Sequence, residues 1–219
     1  FPIFCLGCRR EGVWVCVDCA VTIGAAGVHA CPVCHTYNGD GVCCRSCAKQ
    51  SALASVRAVA RYAEGELLAR VIQAFKYGYA EELARTVQPI ITTYVGNHRG
   101  ALHDIDIVVP VPLHPRRLAE RGFNQAEHVA LAVASAFVRP LVPALKRSRY
   151  TKVQARLNKE ERMINVADAF VCALSEAVEG KRVLLVDDVF TTGSTMQECA
   201  RVLAAAGARR VDGFTIARG

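Results

Sequence analysis

The sequence predicts an α/β body built on a parallel, Rossmann-like sheet and preceded by a small cysteine-rich module. Three observations carry that expectation. Nine of the eleven cysteines fall within the first 47 of 219 residues, leaving only Cys172 and Cys199 beyond. After Ser51, apolar runs alternate with amphipathic stretches of helical period, the order of a βαβ chain. One of those runs, Val183–Val186, leads into two aspartates and a Thr/Gly/Ser loop ahead of a helix, the kind of junction at which such folds hold ligands. The boundary is expected at Gln50–Ser51, giving a module over 1–50 and a body over 51–219.

With 52% hydrophobic and 21% charged residues, the chain can bury a core and is too apolar for a disordered protein. No apolar run approaches the ~18 residues that span a bilayer, so no membrane insertion is expected. The first thirty residues mix cysteines, glycines and charges where a signal peptide would carry an apolar stretch. A cytoplasmic location is expected, with the start, which lacks Met, processed or trimmed.

The head holds four C-x-x-C pairs: Cys5/Cys8, Cys16/Cys19, Cys31/Cys34 and Cys44/Cys47, with Cys43 as a spare. A redox C-x-x-C occurs once per domain, between a strand and a helix. An odd cysteine total without a secretion signal argues against a disulfide framework. Two such turns close a tetrahedral sulfur site suited to Zn²⁺, with an iron–sulfur cluster as the competitor. Four pairs imply two ions with a structural role. Pairing is sequential or interleaved; seven residues between the first two pairs favour the sequential hairpin. His29 and His35 flank the third pair and read better as solvated loop residues than as ligands. Trp14, Phe4 and Tyr37 read as the core of a tiny metal domain before they read as base-stacking groups.

In the body, Ser55–Tyr62 alternates as a strand, Glu66–Phe75 and Glu81–Tyr94 have helical period, and Ile105–Val109 is a short apolar strand. Gln125–Val138 reads as a helix, Lys181–Val186 as a buried strand, Ser194–Ala206 as an amphipathic helix stopped by Gly207, and Val211–Ile216 as the last strand. Cys172 and Cys199 fall in apolar patterns and read as core.

Val183–Met196, VLLVDDVFTTGSTM, carries the chemistry. Backbone N–H groups of Thr192, Gly193, Ser194 and Thr195 can converge on a phosphate. Gly193 permits close approach, the hydroxyls of Thr191, Thr192, Ser194 and Thr195 add donors, and a helix N-terminus adds partial positive charge. The pattern is neither a Walker loop nor G-x-G-x-x-G. Asp187 and Asp188 would repel a phosphate, so they fit ribose hydroxyls or a metal on the far side of the same ligand. The alternative is a solvated turn with a helix cap.

This segment resembles the phosphoribosyl-pyrophosphate (PRPP) motif of type I phosphoribosyltransferases. The whole chain resembles the ComF family, a cysteine-rich zinc module joined to a phosphoribosyltransferase domain. Four further segments match it: FKYG at Phe75–Gly78, VVPVPLH at Val108–His114, RGFNQ at Arg121–Gln125, and the span holding Thr151, Gln154, Leu157, Arg162 and Asn165, similar to the family's mobile loop. Cys43 departs from the pattern. The resemblance implies PRPP carried with Mg²⁺ and attack of a nitrogen nucleophile at C1 of the ribose, with loss of pyrophosphate. Asp187 and Asp188 would orient the sugar and steady its developing cation. Thr191–Thr195 would hold the 5-phosphate. The turn at Val111 would receive pyrophosphate with Arg116, Arg117, Arg121 and Lys76, while Arg162 or Lys152 would close over the site. It also implies a link to natural transformation, with single-stranded DNA and other competence proteins as partners. The acceptor stays open.

Positive charge is concentrated. Residues 116–162 hold eleven Lys or Arg against four acidic residues, net +7, which equals the net charge of the whole chain. Such a rim would draw in PRPP or a nucleic-acid backbone. Arg139 and Arg147 are its test positions for the DNA-binding reading, in which the fold senses PRPP without catalysing transfer.

Overall fold

The computed structural model describes residues 2–75, 80–98, 100, 104–150 and 159–219. In the head, helix α1 (Val17–Thr22) precedes the two-residue strand β1 (Val28–His29). The body then runs β2 (Ser55–Arg61), α2 (Leu67–Phe75), α3 (Ala80–Asn97), β3 (Ile107–Pro110), α4 (Pro115–Arg121), α5 (Gln125–Phe137), β4 (Leu145–Arg147), α6 (Lys159–Val166), β5 (Phe170–Cys172), α7 (Ser175–Val178), β6 (Arg182–Phe190), α8 (Ser194–Ala205) and β7 (Arg210–Arg218).

The main sheet has the order β1-β2-β7-β6-β3. The four body strands are parallel, as expected; the edge strand β1 is antiparallel to β2. Alternate residues of each strand serve opposite faces. Leu184, Val186, Val108, Phe214 and Ile216 pack on one side beneath α2, α3 and α5. Val183, Leu185, Ile107, Val109 and Val211 pack on the other with Met196, Cys199 and Leu203 of α8. The α5 stripe is made of small residues (Ala126, Val129, Ala130, Val133 and Ala134), which lets the helix lie close on the sheet.

Two expectations change here. The SVRAVARY alternation predicts a half-solvated strand, yet β2 is buried on both faces and Arg57 is 4% exposed. Its outer edge is covered by the head: Val28 pairs with Ala58, His29 with Arg57, Val42 bridges to Ser55, and Gly41 accepts the Val56 amide at 2.8 Å. Arg57 donates to Ser55 Oγ at 2.7 Å, and Ser55 donates to Asp212. Second, the strand predicted to stop at Val186 continues through both aspartates to Phe190, because β7 pairs with it as far as Phe190↔Arg218. The short strands β4 and β5 form a separate antiparallel pair.

Candidate functional site

The cysteines form two groups among the described residues, Cys5/Cys8/Cys16/Cys19 and Cys31/Cys34/Cys44/Cys47, with the four sulfurs of each within 4.8 Å of one another. Pairing is therefore sequential. Cys8 and Cys16 Sγ lie 3.6 Å apart, Cys31 and Cys44 3.7 Å, and Cys34 and Cys44 3.8 Å. Four thiolates at ~2.3 Å from a tetrahedral zinc stand about 3.8 Å from one another, so the geometry fits that ion. Backbone amides prepare the sulfurs: Gly7 and Cys16 both donate to Cys5 Sγ at 3.4 Å. Burial opposes ionisation of Cys5, but backbone donors from Cys8, Cys16 and Gly7 outweigh it and bring the thiol down to about 6. Cys31 is lowered to about 6 against the same opposition by donors from Cys34, Cys44 and Val33. Metal analysis of the purified protein is expected to return two zinc per chain, released together with the tertiary structure of the head on chelation or acidification, as protons compete for the thiolates.

The flanking histidines stand outside both sulfur groups, as expected, but are half-buried rather than free in solvent. His29 contacts the Gly39 carbonyl and the Tyr94 hydroxyl, both at 2.7 Å, joining head to α3. His35 lies beside Arg218 and Phe190. Cys43 stands outside the four-sulfur group, its thiol raised by burial and by the neighbouring Cys31.

At the carboxyl ends of the strands lies a cleft of about 470 Å³. Asp187, Asp188 and Thr191–Thr195 all line it, and so do Val111 and Arg121. Asp187 and Asp188 are half-buried near the carboxyl end of β6. Each fixes its own direction locally: Asp187 Oδ1 accepts the Asp188 amide at 2.9 Å and Asp188 Oδ1 accepts the Val189 amide at 2.7 Å. Gly193, at φ +78°, turns the chain into α8. The helix thus begins inside the cleft, where its N-terminal amides favour an anion. Thr192 and Ser194 hydroxyls lie 3.0 Å apart at that entrance.

The RGFNQ segment builds the opposite wall. Gly122 ends α4. Phe123 stacks on Phe75 with ring centres 5.9 Å apart. Asn124 caps α5 through the Ala126 amide and donates to the Val111 carbonyl at 3.0 Å, holding the turn after β3. Gln125 accepts from Arg121 at 2.8 Å and donates to the Phe75 carbonyl. One short motif therefore fixes both a cleft arginine and the adjoining turn.

The basic run divides. Arg117 and Arg121 face the cleft. Arg116 instead pairs with Glu120 and lies over Tyr150. Arg149 donates to the carbonyls of Asn165 and Ala167. Arg147, treated from sequence as a rim charge, lines the cleft at 8% exposure with its guanidinium 5.1 Å from the centre of the Phe170 ring. Burial, then repulsion from Arg117, depress its pKa, while Asp187 works the other way. Guanidinium remains a cation even so. Tyr62 and Glu64 also line the cleft; no motif marks them. Lys76, Lys152 and the Arg162 side chain lie outside the described residues.

Residues 119–218 match the phosphoribosyl transferase domain model. Competence protein ComFC of Streptococcus pneumoniae is 26% identical over 96% of this chain and 90% of its own length. Competence protein F of Haemophilus influenzae is 32% identical over 70% of this chain and 69% of its own length. The chain belongs to the ComF family. DNA utilization protein YhgH of Escherichia coli O6:H1 is a further relative, 32% identical over 69% of this chain and 67% of its own length. In this ComF protein the matched domain runs from the end of α4 through β7, so it contains the loop that enters α8 and most of the arginine wall. The two cysteine groups precede it. No helix among the described residues is long and apolar enough to cross a membrane.

Proposed function

We propose that this ComF protein binds Mg²⁺–PRPP in the cleft and transfers ribose 5-phosphate to an acceptor, releasing pyrophosphate, in the handling of imported DNA. One observation carries the reading: two carboxylates, a helix N-terminus and three arginines converge on a single cleft. That is the charge pattern of a sugar bearing phosphate at one end and pyrophosphate at the other. The α8 entrance takes the 5-phosphate, Asp187 and Asp188 take the ribose hydroxyls, and Arg117, Arg121 and Arg147 face the pyrophosphate. Mg²⁺ would neutralise pyrophosphate oxygens. In the transfer, the bond from C1 to the pyrophosphate oxygen breaks, its electron pair leaves with pyrophosphate, and a nitrogen lone pair of the acceptor forms the new bond. The chain's contribution is orientation and charge stabilisation. The names of the streptococcal, Haemophilus and E. coli relatives support the connection to competence and DNA use. Location in the cytoplasm fits that role.

Calorimetric titration with Mg²⁺–PRPP, with and without single-stranded DNA, tests the proposal, followed by pyrophosphate release across a panel of bases and amines. Saturable binding is expected; absence of binding defeats it. Arg147→Met is expected to weaken PRPP by roughly 10- to 100-fold, the worth of one charge-assisted contact. Its melting temperature should hold, because Met retains the stem's packing and has no charge to desolvate. Equal affinity in the variant would remove Arg147 from the site.

A second reading, direct DNA binding with PRPP as a signal, rests on basic residues outside the cleft, such as the exposed Arg139 and Lys146. Since Arg147 belongs to the cleft, Arg139 is the discriminating position. Arg139→Glu should weaken single-strand binding and flatten its salt dependence. Anisotropy at two salt concentrations checks this, and no DNA binding at low salt eliminates the direct form.

A further inference from the structure

A continuous set of contacts joins the second cysteine group to the anion loop. Arg218, the last residue of β7, is 3% exposed. Its guanidinium donates to the Ala30 carbonyl at 2.8 Å and the Cys31 carbonyl at 2.7 Å, and reaches His35 Nδ1 at 3.3 Å. These acceptors belong to the turn that carries Cys31 and Cys34. The same guanidinium lies 4.7 Å from the centre of the Phe190 ring. Phe190 is 1% exposed, ends β6, pairs with Arg218 across the sheet, and accepts the Gly219 amide on its carbonyl at 3.0 Å. Gly193 sits directly against that ring: a Cβ there would stand 2.4 Å from Cζ. Gly193 is the N-cap of α8, and its carbonyl accepts the Gln197 amide at 2.8 Å.

The charges agree with the geometry. A buried guanidinium needs compensation. Four thiolates on a divalent ion would leave a net charge of about −2, borne in part by the turn whose carbonyls Arg218 grips.

We propose that Arg218 is a positioning residue through which the Cys31/Cys34/Cys44/Cys47 centre sets the phosphate-binding loop. With metal bound, Cys31 and Cys34 would fix the turn; its two carbonyls hold the guanidinium, the guanidinium and Phe190 form one layer, and Gly193 rests on it. The head thereby governs the anion site without touching the ligand. This inference takes the cleft as a PRPP site for its functional meaning, but the contact path is testable without ligand.

The test uses the full chain with Arg218→Met, Cys34→Ser and Cys34→His. Zinc content, amide exchange over 191–197 and Mg²⁺–PRPP affinity are read for each. Arg218→Met should keep both zinc ions, yet exchange the Gln197 amide roughly tenfold faster and bind PRPP roughly tenfold more weakly. Cys34→Ser should lose one zinc and show the same loop effect. Cys34→His, which restores a metal ligand, should recover zinc and loop protection together. The central parts of β6 and β7, Val183–Val186 and Val211–Phe214, serve as an internal control and should exchange slowly throughout. Unchanged loop exchange in Arg218→Met, with the fold intact, overturns the coupling. So does loss of protection spread evenly over loop and central strands, which would mean global destabilisation. If no variant and no parent binds PRPP while the loop responds as described, the coupling stands and only the ligand assignment falls.

Discussion

Replacing Asp187 and Asp188 together by Asn is expected to abolish PRPP binding, a loss of roughly 100-fold or more by calorimetry. The two carboxylates are already aimed, since one oxygen of each is fixed by the next backbone amide. Asn keeps that acceptor and the side-chain shape, so the fold should hold and the melting temperature should move little. What disappears is the charge. An amide presents N–H donors where a carboxylate presents acceptors, and hydrogen bonds from hydroxyls to a charged group contribute about 1.5–3 kcal/mol each. The loss should be larger in turnover than in binding if the carboxylates also steady a cationic sugar ring. Undiminished PRPP affinity in the double variant would detach these residues from the ribose.

Gly193→Ala is the second large effect. Two costs coincide there. The backbone sits at φ +78°, which an L side chain resists. The added Cβ would also stand 2.4 Å from Phe190 Cζ and 2.9 Å from Cε2. Phe190 has little room to yield, being 1% exposed with Arg218 over its ring. Either the ring or the loop must move, at about 2–4 kcal/mol in all. That corresponds to a fall in melting temperature of roughly 5–15 °C, with PRPP binding lost beyond it. Gly180→Ala is the comparison. Its φ is +70°, but nothing lies within 4 Å of the added atom. Only the backbone cost of about 1 kcal/mol is expected there. Equal melting shifts in the two variants would show that the Phe190 contact contributes nothing.

What could be read from the sequence followed the range of the signal. The C-x-x-C pairs and the Asp-Asp–Thr-Thr-Gly junction are local patterns, each complete within a few residues, and the fold gathers the residues of each into one place. The parallel core was legible in β3 and in Val183–Val186 of β6, which are continuous apolar runs. Pairing of the cysteines needed geometry, as spacing alone allows two orders. Strands β1, β4 and β5, two or three residues each, are too short for any periodicity to register. Arg147 was misread for that reason: the β4–β5 pairing carries it into the cleft wall, and nothing adjacent in sequence announces this. Arg57 looks like a solvent-facing member of an alternating strand, and Arg218 lies beyond the strand expected over Val211–Ile216. They are buried because the distant head lies over them, a relation no local window contains. Tyr62 and Glu64 reach the cleft only because β2 ends beside it. Lys76 and Arg162 rest on the family resemblance alone.

The backbone of the head occupies the outer rim of β2, from the Gly41 carbonyl to the Val28–His29 pair. A fragment starting at residue 51 would bare that row of amides and carbonyls, and a naked ladder recruits foreign strands. Severing the polypeptide at its compositional seam should therefore give insoluble material instead of a working half. Co-production of both pieces would be the way to recover soluble protein.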